Sequence, residues 1–134
     1  MSNTAEDAQA PEAIHYPGAV ATREPDRAAV IMATSGQVLT YAELDDMANR
    51  LSQLFRAAGL ERGDHVAFCM ENRAEFLPIA WGCHYAGLCY TAISSRLTSE
   101  EVNYIVNDCG AQAFITTPYK AEAAGAILET TPNV

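Results

Sequence analysis

The chain is poor in positive charge. Its 134 residues hold 8 Lys and Arg against 17 Asp and Glu, a formal net charge of −9, and Lys120 is the only lysine. Without a basic stripe to neutralise a phosphate backbone, the sequence lacks the footprint of a nucleic-acid binder. It also gains nothing electrostatically at an anionic lipid surface. Long hydrophobic runs are missing: none approaches the roughly 18 apolar residues of a membrane span. Met1 to Pro11 contain neither a basic n-region nor an apolar h-region, so they do not read as a secretory signal. Cys69, Cys83, Cys89 and Cys109 form no C-x-x-C pair, and each lies in or beside an apolar run. They read as free buried thiols in a reducing cytoplasm, not as a disulfide or metal site. There is no G-x-x-x-x-G-K-S/T, no G-x-G-x-x-G, no H-E-x-x-H and no G-x-S-x-G, so no phosphate loop, dinucleotide turn, zinc helix or nucleophile elbow announces itself.

What is present is a globular composition, 49% hydrophobic and 19% charged, in about one domain's length. Residues 1–13 are small, polar and acidic and read as a disordered leader; residues 14–134 form the ordered portion. Ala19 to Arg23 suits a short helix, broken by Glu24-Pro25-Asp26. Ala28 to Ala33 and Val38 to Thr40 suit a loose hairpin around Ser35-Gly36. Thr34-Ser35-Gly36 is a turn signal; a phosphate loop would need a second nearby glycine, a lysine and a following helix.

From Thr40 onward the pattern alternates between helix and strand. Thr40 and Glu43 make a capping box, and Tyr41, Leu44, Met47, Leu51, Leu54, Phe55 and Ala58 repeat at helical spacing up to Gly59. His65 to Met70 is almost continuously apolar and reads as a strand buried on both faces. Asn72 and Glu75 suggest a second capping box. The helix after them is apolar nearly all round, which predicts burial between layers, and Pro78 should delay its start or kink its first turns. Leu88 to Ile93 reads as another buried strand. Thr98 and Glu101 make a third capping box before Val102, Ile105, Val106 and Cys109. Ala113 to Thr117 is a third strand, Tyr119 to Leu128 suits a helix, and a return strand is due near Val134. Strands about 23–24 residues apart with helices between them predict βαβ units. The fold class is therefore α/β, a partial parallel sheet with helices on both faces.

Chemistry is sparse. His84 reads as a hydrogen-bonded interior histidine, because no further metal ligands lie at a sensible local spacing. His65 and His15 read as structural or exposed, and Trp81 with Tyr85 as core. Arg96 stands apart, a lone cation in the loop after a parallel strand and just before a helix N-terminus. Ligands of open α/β sheets gather at such carboxyl-end loops, and an arginine there can hold phosphate bidentately. The plainer reading pairs Arg96 with a surface acid such as Glu100. No catalytic residue and no metal ligand emerges from the pattern.

Several strings occur in a telling order. Leu39-Thr-Tyr-Ala-Glu-Leu44 is followed by Ala48-Asn-Arg-Leu51, Gly59-Leu-Glu-Arg-Gly-Asp-His-Val-Ala67 and Glu71-Asn-Arg-Ala-Glu-Phe76. Tyr85-Ala-Gly-Leu-Cys-Tyr90, Ser94-Ser-Arg-Leu-Thr-Ser-Glu-Glu101 and Tyr104-Ile-Val-Asn-Asp-Cys-Gly-Ala111 complete the series. From about residue 15 onward the chain resembles the N-terminal region of AMP-forming acyl-CoA synthetases, the adenylate-forming superfamily, and most of all fatty-acyl-CoA ligases. The resemblance implies the first subdomain of the synthetase N-terminal domain. It also implies a two-step reaction: a carboxylic (fatty) acid, ATP and Mg²⁺ give an acyl-adenylate and pyrophosphate, and the thiol of CoA then displaces AMP. The family's phosphate loop and catalytic lysine fall downstream of the position matching Val134. An inactive fragment that binds none of these cofactors alone is therefore expected. Carried over, the loop Ser94-Ser-Arg-Leu97 places Arg96 near the phosphates of CoA. The alternative to this enzyme-fragment reading is a stand-alone, non-catalytic α/β binding or interaction module. Neither acyl chain length nor oligomeric state is written in these residues.

Overall fold

The computed structural model describes residues 15–121 together with 124, 125 and 134. The leader expected over residues 1–13, most of the expected final helix and the approach to Val134 lie outside the described residues.

The chain begins with α1 (Pro17–Arg23), whose first position is a proline, tolerated there because that N–H has no helical partner. Strands β1 (Ala28–Ile31) and β2 (Val38–Thr40) pair antiparallel as the expected hairpin. Helix α2 (Tyr41–Ala57) opens on the expected capping box: Thr40 Oγ1 accepts the Glu43 N–H at 3.2 Å and Glu43 Oε2 accepts the Thr40 N–H at 2.8 Å. Then follow β3 (His65–Met70), α3 (Phe76–Ala86), β4 (Cys89–Ser94), α4 (Ser99–Asp108) and β5 (Ala113–Thr116). A 3₁₀ turn, Pro118–Lys120, leads out of β5.

The three later strands form a parallel sheet in the order β4-β3-β5, with helices on both faces, as the alternation predicts. Side chains alternate across a strand, so β3 feeds two cores. Val66 and Phe68 point to the face covered by α2 and α3, where they meet Phe55, Cys83 and Ile79. Ala67 and Cys69 point to the face covered by α4, where they meet Val102 and Val106. The second core is closed by the Thr98–Glu101 capping box, which starts α4 as expected.

The α2–α3 seam runs through small residues. A Cβ on Gly82 would stand 2.7 Å from Leu51 Cβ and 3.2 Å from the Ala48 carbonyl oxygen. This close approach rotates α2 so that Ala48 and Ser52 are buried and Leu54, expected on the apolar face, is 60% exposed.

Several other expectations are corrected. β4 is not a buried strand. It lies at the sheet edge, and Cys89, Tyr90, Ala92 and Ser94 are exposed, because the topology leaves it a neighbour on one side only among the described residues. Cys89 is therefore an exposed thiol, while Cys69 and Cys83 are buried and Cys109 half-buried; all four are free. Helix α3 is buried on the side of α2 and the sheet but leaves Leu77 and His84 exposed, with Trp81 and Tyr85 half-buried. His84 is thus no interior histidine; it stacks beside Trp81 and Tyr90 at 5.3 and 5.6 Å. The Asn72–Glu75 capping box does not form. Glu75 is itself the N-cap, in a right-handed helical conformation, and its carboxylate turns to Arg73 at 3.2 Å. Pro78 then falls at the third helical position, where no N–H is needed, and the start is delayed to Phe76, as the proline predicts.

Candidate functional site

In a parallel α/β sheet the carboxyl ends of the strands collect ligands, above all where the strand order reverses. Here the chain runs from β3 outward to β4 and returns to β5 on the other side, so the reversal lies between β3 and β5. That crevice is bridged. The Thr117 hydroxyl, just past β5, donates to Glu71 Oε2, just past β3, at 2.6 Å. This bond is the first cause, ahead of Arg73, that holds the Glu71 carboxyl below the usual carboxylate range. Arg73 bonds both Glu71 (3.3 Å) and Glu75 (3.2 Å). What stays open at the reversal is a hollow of about 250 Å³ lined by residues including Met70, Arg73, Thr117 and Pro118.

The larger opening lies on the other side of β3, between the ends of β3 and β4. It is an open cleft of about 540 Å³. Met70, Phe76, Ala92 and Ile93 supply an apolar floor; Asn72, Ser94, Ser95, Arg96 and the carboxylate-bearing Glu71 supply polar walls. Phe76 is fixed there by an edge-on contact with the buried Phe68, centroids 5.0 Å apart.

The loop carrying Arg96 is set from both ends. At its start Ser94 Oγ accepts the Arg96 backbone N–H at 3.3 Å, and the Ser94 carbonyl accepts the Leu97 N–H at 3.3 Å. At its end Leu97 packs on the Val102 cluster and Thr98 caps α4. Between these anchors Arg96 is exposed at the cleft. The expected alternative, an ion pair with Glu100, is not found: the ion pairs among the described residues involve Arg27, Arg50 and Arg73. The start of α4 adds less positive potential than a bare helix end would. Glu101 accepts the Thr98 backbone N–H and hydroxyl, which hold its carboxyl below the usual range, and Glu100 lies in the same first turn. Arg96 is accordingly the cation that faces this cleft. Sequence reasoning located it but missed Glu71 and Thr117, which meet from 46 residues apart and carry no local motif.

His65, read as structural, shares a 2.7 Å hydrogen bond with Thr91 on β4. Lys120 sits in the turn after β5 with its ammonium 5.9 Å from the Tyr119 ring centre. Among the described residues no group of three or more His, Cys, Asp and Glu is placed to hold a metal ion. Nor is any helix among them long and apolar enough to cross a membrane.

Comparison with known proteins places this geometry. The family described as AMP-binding enzyme matches residues 19–134. Long-chain fatty acid transport protein 1 of Mus musculus is 35% identical over 116 residues, 87% of this chain and 18% of its own length. Feruloyl-CoA synthase of Amycolatopsis sp is 37% identical over 92 residues, 69% of this chain and 19% of its own. Among solved structures, the N-terminal domain of FACL13 from Mycobacterium tuberculosis superimposes with a TM-score of 0.76 at 30% identity. That likeness covers 82% of this chain and 28% of the other. The chain thus spans under a fifth of the length of the curated relatives it matches. With the family matched over residues 19–134, and with the parallel sheet of a synthetase N-terminal domain, the chain belongs to the AMP-binding enzymes and represents part of the N-terminal region of an AMP-forming acyl-CoA synthetase.

Proposed function

We propose that this chain is the front portion of an acid–thiol ligase acting in the cytoplasm on a carboxylic, most often fatty, acid. In that reaction the carboxylate oxygen attacks the α-phosphorus of ATP and pyrophosphate leaves, giving the acyl-adenylate. The sulfur of CoA then attacks the acyl carbon, AMP leaves with the bonding pair, and the thiol proton passes to solvent. Support comes from the family match and from relatives that include a feruloyl-CoA synthase.

Within that reaction Arg96 takes the phosphates of CoA. The observation that carries this reading is its position: an exposed guanidinium, on a loop whose backbone Ser94 holds, with no ion-pair partner among the described residues and lining a 540 Å³ cleft with an apolar floor. A charge-assisted contact of this kind contributes about 1.5–3 kcal/mol. In a full-length ligase carrying this segment, Arg96→Ala raises the KM for CoA about ten- to a hundredfold and leaves acyl-adenylate formation, read as pyrophosphate release, unchanged. An unchanged KM for CoA overturns this role.

The 134-residue chain by itself is inactive on this reading. Stabilising charge at the α-phosphate takes several preorganised donors and a metal, and the cleft offers a single arginine. ATP–pyrophosphate exchange by the purified chain with any fatty acid would refute it.

A further inference from the structure

We propose that the open cleft between the end of α3 and the turn entering β3 binds a soluble polyphosphate anion, held by Arg56 and Arg62. The site lies at the amino end of the sheet, opposite the cleft that holds Arg96, and does not depend on the role given to that residue.

The cleft measures about 490 Å³, within the range of small-ligand sites and more than a single phosphate fills. Arg56 at the end of α2, Arg62 in the turn that follows and His84 near the end of α3 line it, with Leu60 and the half-buried Tyr85 ring as its apolar part. No Asp or Glu is among the lining residues, although the chain carries a net charge of −9. Neither arginine has an ion-pair partner among the described residues, whereas Arg27, Arg50 and Arg73 do. Asp64, the acid two residues after Arg62, turns its Oδ2 back to accept the Glu61 backbone N–H at 2.7 Å. Two guanidinium groups on one cleft with no acid between them repel each other, and a bound polyanion relieves that repulsion.

The backbone sets both arginines in place. Arg56 Nη2 donates to the Tyr85 carbonyl at 2.9 Å, which engages one donor of the guanidinium and leaves the others for a ligand. The stem of Arg62 lies over Gly87, where a Cβ would stand 3.0 Å from Arg62 Cγ. The turn carrying Arg62 is tied down on both sides. The Gly63 N–H donates to the Gly87 carbonyl, and the Cys89 N–H donates to the Asp64 carbonyl, each at 2.9 Å. Bare carbonyls at a helix carboxyl end would oppose an anion. Here those of Cys83 and His84 accept the Leu88 and Gly87 N–H groups, and Arg56 covers that of Tyr85. The planar fork of arginine matches phosphate bidentately, and two forks suit a ligand with more than one phosphate. A lipid headgroup is the poorer source of the same chemistry, since a chain of this net charge is repelled by an anionic bilayer.

Pyrophosphate is the probe, titrated into the chain at low ionic strength with backbone amide resonances as the readout. The amides of residues 61–64 and 85–88 should shift and saturate, while sodium chloride at matched ionic strength moves neither group. Arg62→Gln should weaken binding about tenfold or more, and Arg62→Lys less, because it keeps the charge and loses the fork. Arg50→Gln, on an exposed arginine paired with Asp46, should bind as the parent does. Shifts that never saturate, or saturation that Arg62→Gln leaves unchanged, overturn the proposal. So do saturating shifts confined to residues 94–97, which assign the anion to the Arg96 cleft. Binding to phosphatidic acid vesicles that pyrophosphate does not displace also overturns it, in favour of a lipid headgroup. A second measurement does not need the isolated chain. In a full-length ligase carrying this segment, pyrophosphate should slow the modification of Arg62 by phenylglyoxal, located by peptide mapping, and leave that of Arg50 unchanged. Equal slowing or none at Arg62 overturns the proposal. Both readouts follow named residues at the amino end of the sheet, so they fail separately from the proposed ligase reaction.

Discussion

The Tyr85 hydroxyl donates a 2.7 Å hydrogen bond to Asp45 Oδ1 and accepts the Gly18 backbone N–H at 3.2 Å. One side chain on α3 thereby ties together α2 and the start of α1, elements separated by up to 67 residues in the chain. Tyr85→Phe keeps the ring and strands both partners. Leaving a half-buried carboxylate and an amide without this mate costs about 1 kcal/mol. The urea midpoint of the variant should fall accordingly, and α1, whose start this hydroxyl holds, should lose amide protection first.

The same residue sets an alkaline signature. Burial, and after it the Asp45 carboxylate, push the Tyr85 phenol well above its ordinary range. A folded-state pKa above the unfolded value of about 10 means that its contribution is complete below pH 10 and is lost as pH rises toward the folded value. Stability of the parent should therefore drop above pH 10 more steeply than that of Tyr85→Phe. Parallel curves in urea melts between pH 8 and 11 would rule this out.

At the acid end the Glu71–Thr117 bond governs. The Thr117 hydroxyl, followed by the Glu71 backbone and Arg73, holds the Glu71 carboxyl down. A depressed carboxyl contributes stability above its unfolded pKa and loses it as pH falls through the folded value. Thr117→Val removes the first of these causes. The Glu71 carboxyl should then titrate at higher pH, closer to an ordinary glutamate, when followed by its side-chain carbon resonance. The bridge across the β3–β5 crevice should open, read as faster amide exchange after β5.

These pairs show where the sequence is legible. Helix starts are local: Thr40 with Glu43 and Thr98 with Glu101 lie three residues apart, and both boxes form as their spacing predicts. Asn72 and Glu75 have comparable spacing, yet Arg73 between them captures Glu75, and the box is lost to an ion pair no spacing rule weighs. Strand identity is equally local, but burial is not. His65 to Met70 and Leu88 to Ile93 are alike in composition, and only the sheet order makes one central and the other an edge. Cys89 is exposed for that reason, and His84 lies on α3 beside Tyr90 of the same edge. Arg96 is legible because it is a charge in a short loop; Glu71 and Thr117 meet only once β5 has paired with β3.

Gly82 supplies a packing test. Its missing side chain lets α3 settle against Ala48 and Leu51 of α2, where a Cβ would stand 2.7 Å from Leu51 Cβ. Because the opposing atoms are a Cβ and a backbone oxygen, neither can swing aside by a rotamer change. Gly82→Ala should destabilise the chain by about 1–3 kcal/mol through overpacking, despite the better helix propensity of alanine. Leu51→Ala should not recover the loss, since alanine keeps the Cβ that the new methyl meets and the change opens a cavity against Phe55 and Phe68. A Gly82→Ala chain as stable as its parent would show that the helices can part without cost.

The four thiols should separate by reactivity. The thiolate is the reactive form, so burial slows a cysteine both by shielding it and by raising its pKa. Cys83 is fully buried between α3 and the sheet, and burial pushes its thiol up to about 11. Cys69 is raised by the same cause, against an opposing pull from Lys120. Cys89 is exposed on β4 and Cys109 is half-buried at the end of α4. With a thiol reagent at pH 8 the native chain should modify Cys89 first and Cys109 more slowly. Cys69 and Cys83 should react at the rate of local or global opening, so that their labelling slows with any stabilising condition while that of Cys89 does not. Peptide mapping after a short pulse checks the order. Early label on Cys83 would mean that α3 leaves the sheet far more often than its packing against Phe55 and Val66 allows.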